Sequence, residues 1–322
     1  MKIQLNHIVL LLVVMTFAAS CQNPKQGIAG KYKKRIIASL PEKPTVTPKR
    51  ERRILIISRC EGFVHGSIPY GRFMLEQMGR KTGAFIADFS EGYECFTADH
   101  LKKYDAIVFN NTTNLNPTDE QRDAILEFIR SGKGIIGIHA ATDNFRNWHE
   151  GVCMMGGCFN GHPWGANGTW AFKLDDADHP INQVFNKKGF WHKDEIYQYH
   201  PDHYQGEENL RILISLDMTK NRNIEALVNQ RKKGAPRLTA TEKAKRTELA
   251  KLRKVPVSWI RDFGDGRLFY TNFGHRNETF WNTKINRHIL DGIQFALGDL
   301  SADAAPTHHA KDLNIALAPP KP

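Results

Sequence analysis

Residues 104–143 read YDAIVFNNTTNLNPTDEQRDAILEFIRSGKGIIGIHAATD, and this stretch decides the fold. Tyr104–Phe109 is a short, mostly apolar run, suited to a strand buried on both faces. Pro117 and Thr118 then open a helix. Asp119 and Glu120 occupy its first turn, where carboxylates meet the positive end of the helix dipole. The helix runs to Ser131, and Gly132 lies just past its end. Gly134–Ile138 is a second buried run. Strand, helix and strand in this order predict parallel pairing through a right-handed crossover.

The same alternation extends towards the N-terminus. Ile54–Ser58 and Ala84–Phe89 read as strands, Ser67–Arg80 and Thr97–Leu101 as helices. The fold class is therefore α/β: a parallel, flavodoxin-like sheet with helices on both faces. Beyond residue 143 the pattern becomes irregular and β-rich. Trp170–Leu174, Ile196–Tyr199 and Leu210–Leu216 read as strands. Val257–Phe263 and Arg267–Asn272 flank Gly264-Asp265-Gly266, a hairpin signal. Asn282–Leu297 is a closing helix with an apolar stripe. Thr239–Arg253 has strong helix formers and almost no stripe, so it reads as a solvated helix within a basic insertion, 231–254. The folded domain spans 53–298, and 299–322 read as a loose tail.

The N-terminus belongs to targeting. Lys2, the apolar run Ile8–Phe17 and the small residues Ala18, Ala19 and Ser20 have the layout of a secretory signal over 1–20. Cys21 follows directly, as in a lipobox, and is the expected lipidation site. Residues 21–52, with prolines at 41, 44 and 48, read as a basic linker from membrane to domain. The expected location is exported: a membrane-anchored lipoprotein facing the periplasm. Net charge is +11, but ten basic and two acidic residues lie between Gln22 and Arg53, and the same numbers between Arg231 and Lys254. The rest of the chain is mildly acidic, which argues against a nucleic-acid partner. Cys60, Cys95, Cys153 and Cys158 lack the spacing of a zinc ribbon and are too few for a disulfide framework.

Ligands of open α/β sheets bind beyond the carboxyl ends of the strands. Arg59, Glu61 and His65 follow the first predicted strand; Asn110, Asn111 and Thr112 the third; His139, Thr142 and Asp143 the fourth; His275, Arg276, Asn277 and Glu278 the last. Three of these ends carry a histidine. His139, between a buried strand and Ala140-Ala141, stands at a strand-to-helix elbow where hydrolases place a nucleophile. With no Ser or Cys there, acyl transfer has no nucleophile, and imidazole serves as acid, base or metal ligand. The middle segment adds His162, His192, the pair Asp194-Glu195, and His200 with His203. Trp148, Trp164, Tyr197 and Tyr199 are sugar platforms or buried aromatics.

Phe63-Val64-His65-Gly66-Ser67-Ile68, Gly137-Ile138-His139-Ala140-Ala141-Thr142-Asp143, Gly161-His162-Pro163, Asp178-His179-Pro180, Asp194-Glu195-Ile196-Tyr197 and Gly266-Arg267-Leu268-Phe269-Tyr270 through Phe273-Gly274-His275 occur in this order. The domain over 53–298 thereby resembles the ThuA-like (trehalose-utilisation) family. The resemblance implies a class I glutamine amidotransferase-like fold in which His139 replaces the elbow cysteine, so amidotransferase activity is not expected. It also implies a role in using trehalose and related disaccharides, in routes that oxidise the sugar ring to a ketone. The insertion and Arg276 depart from the family without touching the matched motifs.

The expected chemistry is proton abstraction beside a sugar carbonyl, giving an isomerase or lyase. His139, Glu195 and Asp143 are the expected catalytic residues, and His65, Asn110, His162, Trp164 and His275 surround the substrate. His65, His139 and His275 are also candidate ligands for a divalent, Zn-type ion. The alternative is a non-catalytic, lipid-anchored saccharide-binding protein. The expected partners are a small saccharide and, through the anchor, a membrane; the sequence carries no signal for oligomeric state.

Overall fold

Alternation along the first strands builds a core on each side of the sheet. In β1 (Arg53–Ile57), β2 (Ile86–Ser90), β3 (Ala106–Asn110) and β4 (Gly134–Ile138), successive side chains point to opposite faces. Ile54, Ile56, Val108 and Ile136 enter one apolar layer, and Leu55, Ile57, Ile107 and Ile135 the other. The computed structural model describes residues 27–230 and 236–321. The expected leader over 1–20 and the expected lipidation site Cys21 lie outside the described residues.

The remaining strands are β5 (Thr169–Leu174), β6 (Phe190–Lys193), β7 (Arg211–Leu216), β8 (Pro256–Phe263) and β9 (Gly266–Thr271). One sheet holds all nine in the order β2-β1-β3-β4-β9-β8-β7-β5-β6. The strands from β2 to β9 in that order pair in parallel, and every later pairing is antiparallel. The expected parallel sheet thus accounts for half of the strands, and the β-rich second half joins the same sheet in antiparallel pairing. The reason is the β8–β9 hairpin: a tight turn at Gly264-Asp265 reverses the chain, and no crossover helix follows.

Helices cover both faces, as expected. α1 (Gly30–Ser39) and α2 (Ile68–Thr82) bury Ile36, Met74 and Leu75 in one layer. α3 (Ala98–Leu101), α4 (Asp119–Arg130) and α5 (His149–Met155) bury Leu101, Ile125 and Val152 in the other. Thr118 caps α4 through a reciprocal box with Gln121, which fixes where the helix starts. After the short α6 (Gly206–Asn209) come α7 (Asn221–Val228), α8 (Ala240–Lys251) and α9 (Thr283–Ala296). α9 returns to the first layer through Ile285, Ile289 and Ile293. α8 buries only Ala250, so the described part of the insertion is a solvated helix.

Three further expectations are corrected. Residues 30–52 are not an extended linker. Ile36 and Leu40 are buried, the Thr45 amide donates to Gln294 Oε1 (2.8 Å), and Arg52 Nη2 pairs with Asp299 Oδ1 (2.6 Å). The segment finds apolar and acidic partners near the C-terminal helix that composition could not reveal. The tail beyond 298 is likewise strapped down: Leu174 and Ala316 exchange both backbone hydrogen bonds, and the Ala318 amide donates to Asp217 Oδ2 (3.0 Å). Ile196–Tyr199 forms only isolated bridges, to Trp164 and Phe159, because this segment crosses the strand ends instead of joining a ladder. The four described cysteines are all free. No described helix is long and apolar enough to cross a membrane.

Candidate functional site

β1, β4 and β9 run in one sense, and three antiparallel steps beyond β8 bring β6 into that sense too. Their carboxyl ends therefore open on one side of the sheet. His65 follows β1, His139 follows β4, Glu195 follows β6 and His275 follows β9. One ligating atom from each of the four lies within 4.8 Å of every other. The three imidazole rings meet edge to face, with centroids 4.9 to 5.3 Å apart.

Each side chain is held by its own backbone device. His139 sits at the elbow with φ +46°, a strained conformation for a residue with a Cβ. Its Nδ1 lies 2.7 Å from the Asn272 carbonyl oxygen. A carbonyl only accepts, so Nδ1 carries the proton and Nε2 turns an unprotonated lone pair to the cluster. The Tyr270 hydroxyl donates to the His139 carbonyl (2.7 Å), and Tyr197 packs on the ring. His275 is positioned through Gly274, whose φ is +139°. Ser67 Oγ and Asn111 Nδ2 donate to the Gly274 carbonyl, while its amide donates to Asp194.

The Asp194-Glu195 pair divides its work. Asp194 is fully buried and accepts from the amides of Glu195, Gly274 and Arg276 and from Thr279 Oγ1, at 2.8 to 3.0 Å. Burial pushes its carboxyl up to about 6 although all four donors pull it down. It braces the loop that carries His275. Glu195 faces the imidazoles: Oε1 lies 3.2 Å from His275 Nδ1 and 3.9 Å from His139 Nε2, and Oε2 lies 3.4 Å from His162 Nδ1.

Electrostatics keep two of the imidazoles neutral. Burial, with smaller contributions from His275 and His162, lowers His65 to about 3. Burial, then His65 and His275, holds His139 well below the usual histidine range. Burial also opposes charge on His275, but Glu195 and then Asp194 outweigh it and raise its pKa. His65 Nδ1 and His139 Nε2 are buried without a hydrogen-bond partner, while His275 Nδ1 meets Glu195 Oε1. Two neutral imidazoles, with a third paired to a carboxylate, are a donor set that suits a Zn-type ion.

The strand-end reasoning thus brings together His65, His139, Glu195 and His275, with His162 on the exposed rim. It does not bring in three other expected residues. Asp143 pairs with Arg146, outside the cluster. Asn110 is fully buried and donates to Ser58 Oγ and the Ile68 carbonyl, tying β3 to β1 and to the start of α2. Trp164 is buried, its indole N–H donating to the Asn223 carbonyl (2.9 Å), so it is a core residue and not a sugar platform. The rings of His200 and His203 meet at a tilt of 47° elsewhere. Asn272 and Tyr270 escaped the sequence reading; the signal was a tyrosine and an asparagine inside the otherwise apolar run Leu268–Phe273.

A family model described as ThuA, trehalose utilisation, matches residues 53–296. Among solved structures, a ThuA-like protein from Bacteroides uniformis superposes with TM-score 0.56 at 20% identity, covering 79% of this chain and 94% of that one. A ThuA-like protein from Parabacteroides merdae gives TM-score 0.52 at 18% identity, covering 81% and 96%. At such identities the likeness concerns the fold. No curated protein matches the chain.

Proposed function

We propose a function from one premise: this chain belongs to the ThuA family, described as trehalose utilisation. The reading is an enzyme on a trehalose or keto-glycoside type of saccharide that moves a proton next to a sugar carbonyl, assisted by a divalent, Zn-type ion. One observation carries it: three histidines from separate strand ends each bring a ligating atom within 4.8 Å of the others and of the Glu195 carboxylate. An unpaired buried polar atom such as His139 Nε2 costs about 1–3 kcal/mol, which a bound cation would offset. His65, His139 and His275 would hold that ion, which when bound supplies Lewis-acid stabilisation of charge on a sugar oxygen.

The chain's own groups account for the proton. A ring ketone acidifies the neighbouring C–H. Glu195 Oε2, on the rim side beside His162, takes that proton, and the electron pair moves onto the carbonyl oxygen. Where the deprotonated carbon carries a hydroxyl, protonation of the former carbonyl carbon and loss of the hydroxyl proton give the isomeric ketone. Where a substituent leaves from the next carbon, the outcome is elimination. His162, 54% exposed, exchanges the proton with solvent. The Nδ1 proton of His139 is committed to Asn272, so His139 is assigned to ion holding and not to proton transfer. The leader and Cys21 would deliver this domain to the outer face of the membrane as a lipoprotein, on the periplasmic side.

The test is hydrogen exchange on keto-trehalose in D2O, followed by NMR. Wild-type protein should place deuterium on the carbon beside the carbonyl, and Glu195→Gln should slow this by about 10²–10⁴-fold. Saccharide recovered without deuterium after long incubation with wild type would reject catalysis in favour of simple saccharide binding.

A further inference from the structure

We propose that Phe63, with Val64 beside it, is the platform on which the apolar face of a pyranose ring rests while the ring's carbonyl edge meets the imidazole cluster. The inference rests on the saccharide-processing reading above and names the part of the site that grips the substrate.

Phe63 is 66% exposed, and Val64 is exposed next to it. Exposed apolar side chains are common, but these two are adjacent and border a polar cluster, as the apolar lining of a ligand site does. The ring of Phe63 stands edge to face on His65, with centroids 4.8 Å apart, so it adjoins a cluster member directly. Its exposure does not come from a slack loop. The Glu61 amide donates to the Thr113 carbonyl (2.9 Å), the Gly62 amide to Thr113 Oγ1 (3.3 Å), and Thr113 Oγ1 to the Phe63 carbonyl (3.0 Å). Fully buried Thr113, just past β3, thus pins three successive residues and holds the aromatic ring outward. A preorganised aromatic surface loses little freedom when a ligand settles on it.

A second flat surface borders Glu195. His162 stacks on Phe159 with planes 13° apart, and its Nδ1 reaches Glu195. A pyranose has apolar C–H faces and a rim of hydroxyls. Flat rings at the mouth and a polar cluster between them match that distribution, as small-molecule sites generally do.

The experiment uses the full chain, with trehalose as the binding probe and keto-trehalose as substrate. Saturation-transfer NMR should detect trehalose on wild type. Phe63→Ala should weaken it about tenfold and raise KM for keto-trehalose about tenfold, with kcat changed about twofold or less. Phe63→Tyr should restore both, and metal content and circular dichroism should match wild type in both variants. Unchanged affinity and KM in Phe63→Ala would overturn the proposal. So would a wild type that binds neither sugar, or a Phe63→Ala protein whose only change is in oligomeric state. Deuterium exchange by wild type tests the catalytic reading separately, since trehalose binding needs no turnover.

Discussion

His139 and Asp194 show how single residues carry this site. At the elbow, the Nδ1 proton of His139 is fixed by a carbonyl and its other nitrogen has no partner but the cluster. Asp194 touches no substrate surface; its four donors hold together the segments bearing Glu195 and His275. Asp194→Ala should therefore leave four buried donors unpaired and destabilise the fold by about 2–4 kcal/mol, read by denaturant unfolding. Second, it should lower metal affinity about 10–100-fold, the usual scale for groups that orient ligands. An Asp194→Ala protein with wild-type stability and affinity would remove it from this role. The sequence exposed the Asp194-Glu195 pair but not its division of labour, because adjacent side chains on an extended segment face opposite ways. It misplaced Asn110 and Trp164 for a related reason: a polar or aromatic residue near a strand end can turn into the core as readily as into the pocket.

Among the elements, the β9-to-α9 connection matters most. Gly274 adopts φ +139°, and a Cβ there would meet Ile138 Cγ2 at 3.1 Å and His139 Cβ at 3.3 Å. Backbone strain and crowding both push against His139. Gly274→Ala should cost about 1–3 kcal/mol and shift His275 away from Glu195. The check is unfolding together with the NMR titration of His275 in metal-stripped protein: its raised pKa should fall towards the ordinary histidine value. An unchanged titration would show that the loop does not depend on glycine. The strand, helix and strand of 104–143 were legible because each strand is short, buried on both faces and closed by a clear helix start and stop. The antiparallel half was less so. β6 is four residues long and only partly buried, with no alternation to announce it.

Across the whole molecule, residues 30–52 and the C-terminal tail clasp the domain rather than hang from it. The partners of 30–52 lie about 250 residues away in sequence and those of the tail about 100 or more, which is why composition read them as linker and tail. The clasp has a titratable centre. Burial pushes the Asp291 carboxyl up to about 7, although the Thr45 hydroxyl and Arg287 pull it down. The unfolded carboxyl titrates near about 3.9, so between about pH 4 and pH 7 the folded state holds a proton that the unfolded state releases. Stability from this group is thus greatest at the low end and falls as pH rises to about 7, then levels. Asp291→Asn should lose less stability than wild type between pH 5 and pH 8, by about 1–3 kcal/mol in paired denaturant curves. Parallel curves would contradict the assignment. The whole fold assembles one histidine-carboxylate cluster, and its occupancy is read by metal analysis of purified protein. Wild type should carry about one divalent ion per chain, and His139→Gln should lose the ion and turnover while keeping its circular dichroism. A metal-free wild type with full activity, or a His139→Gln protein with undiminished turnover, would contradict the account.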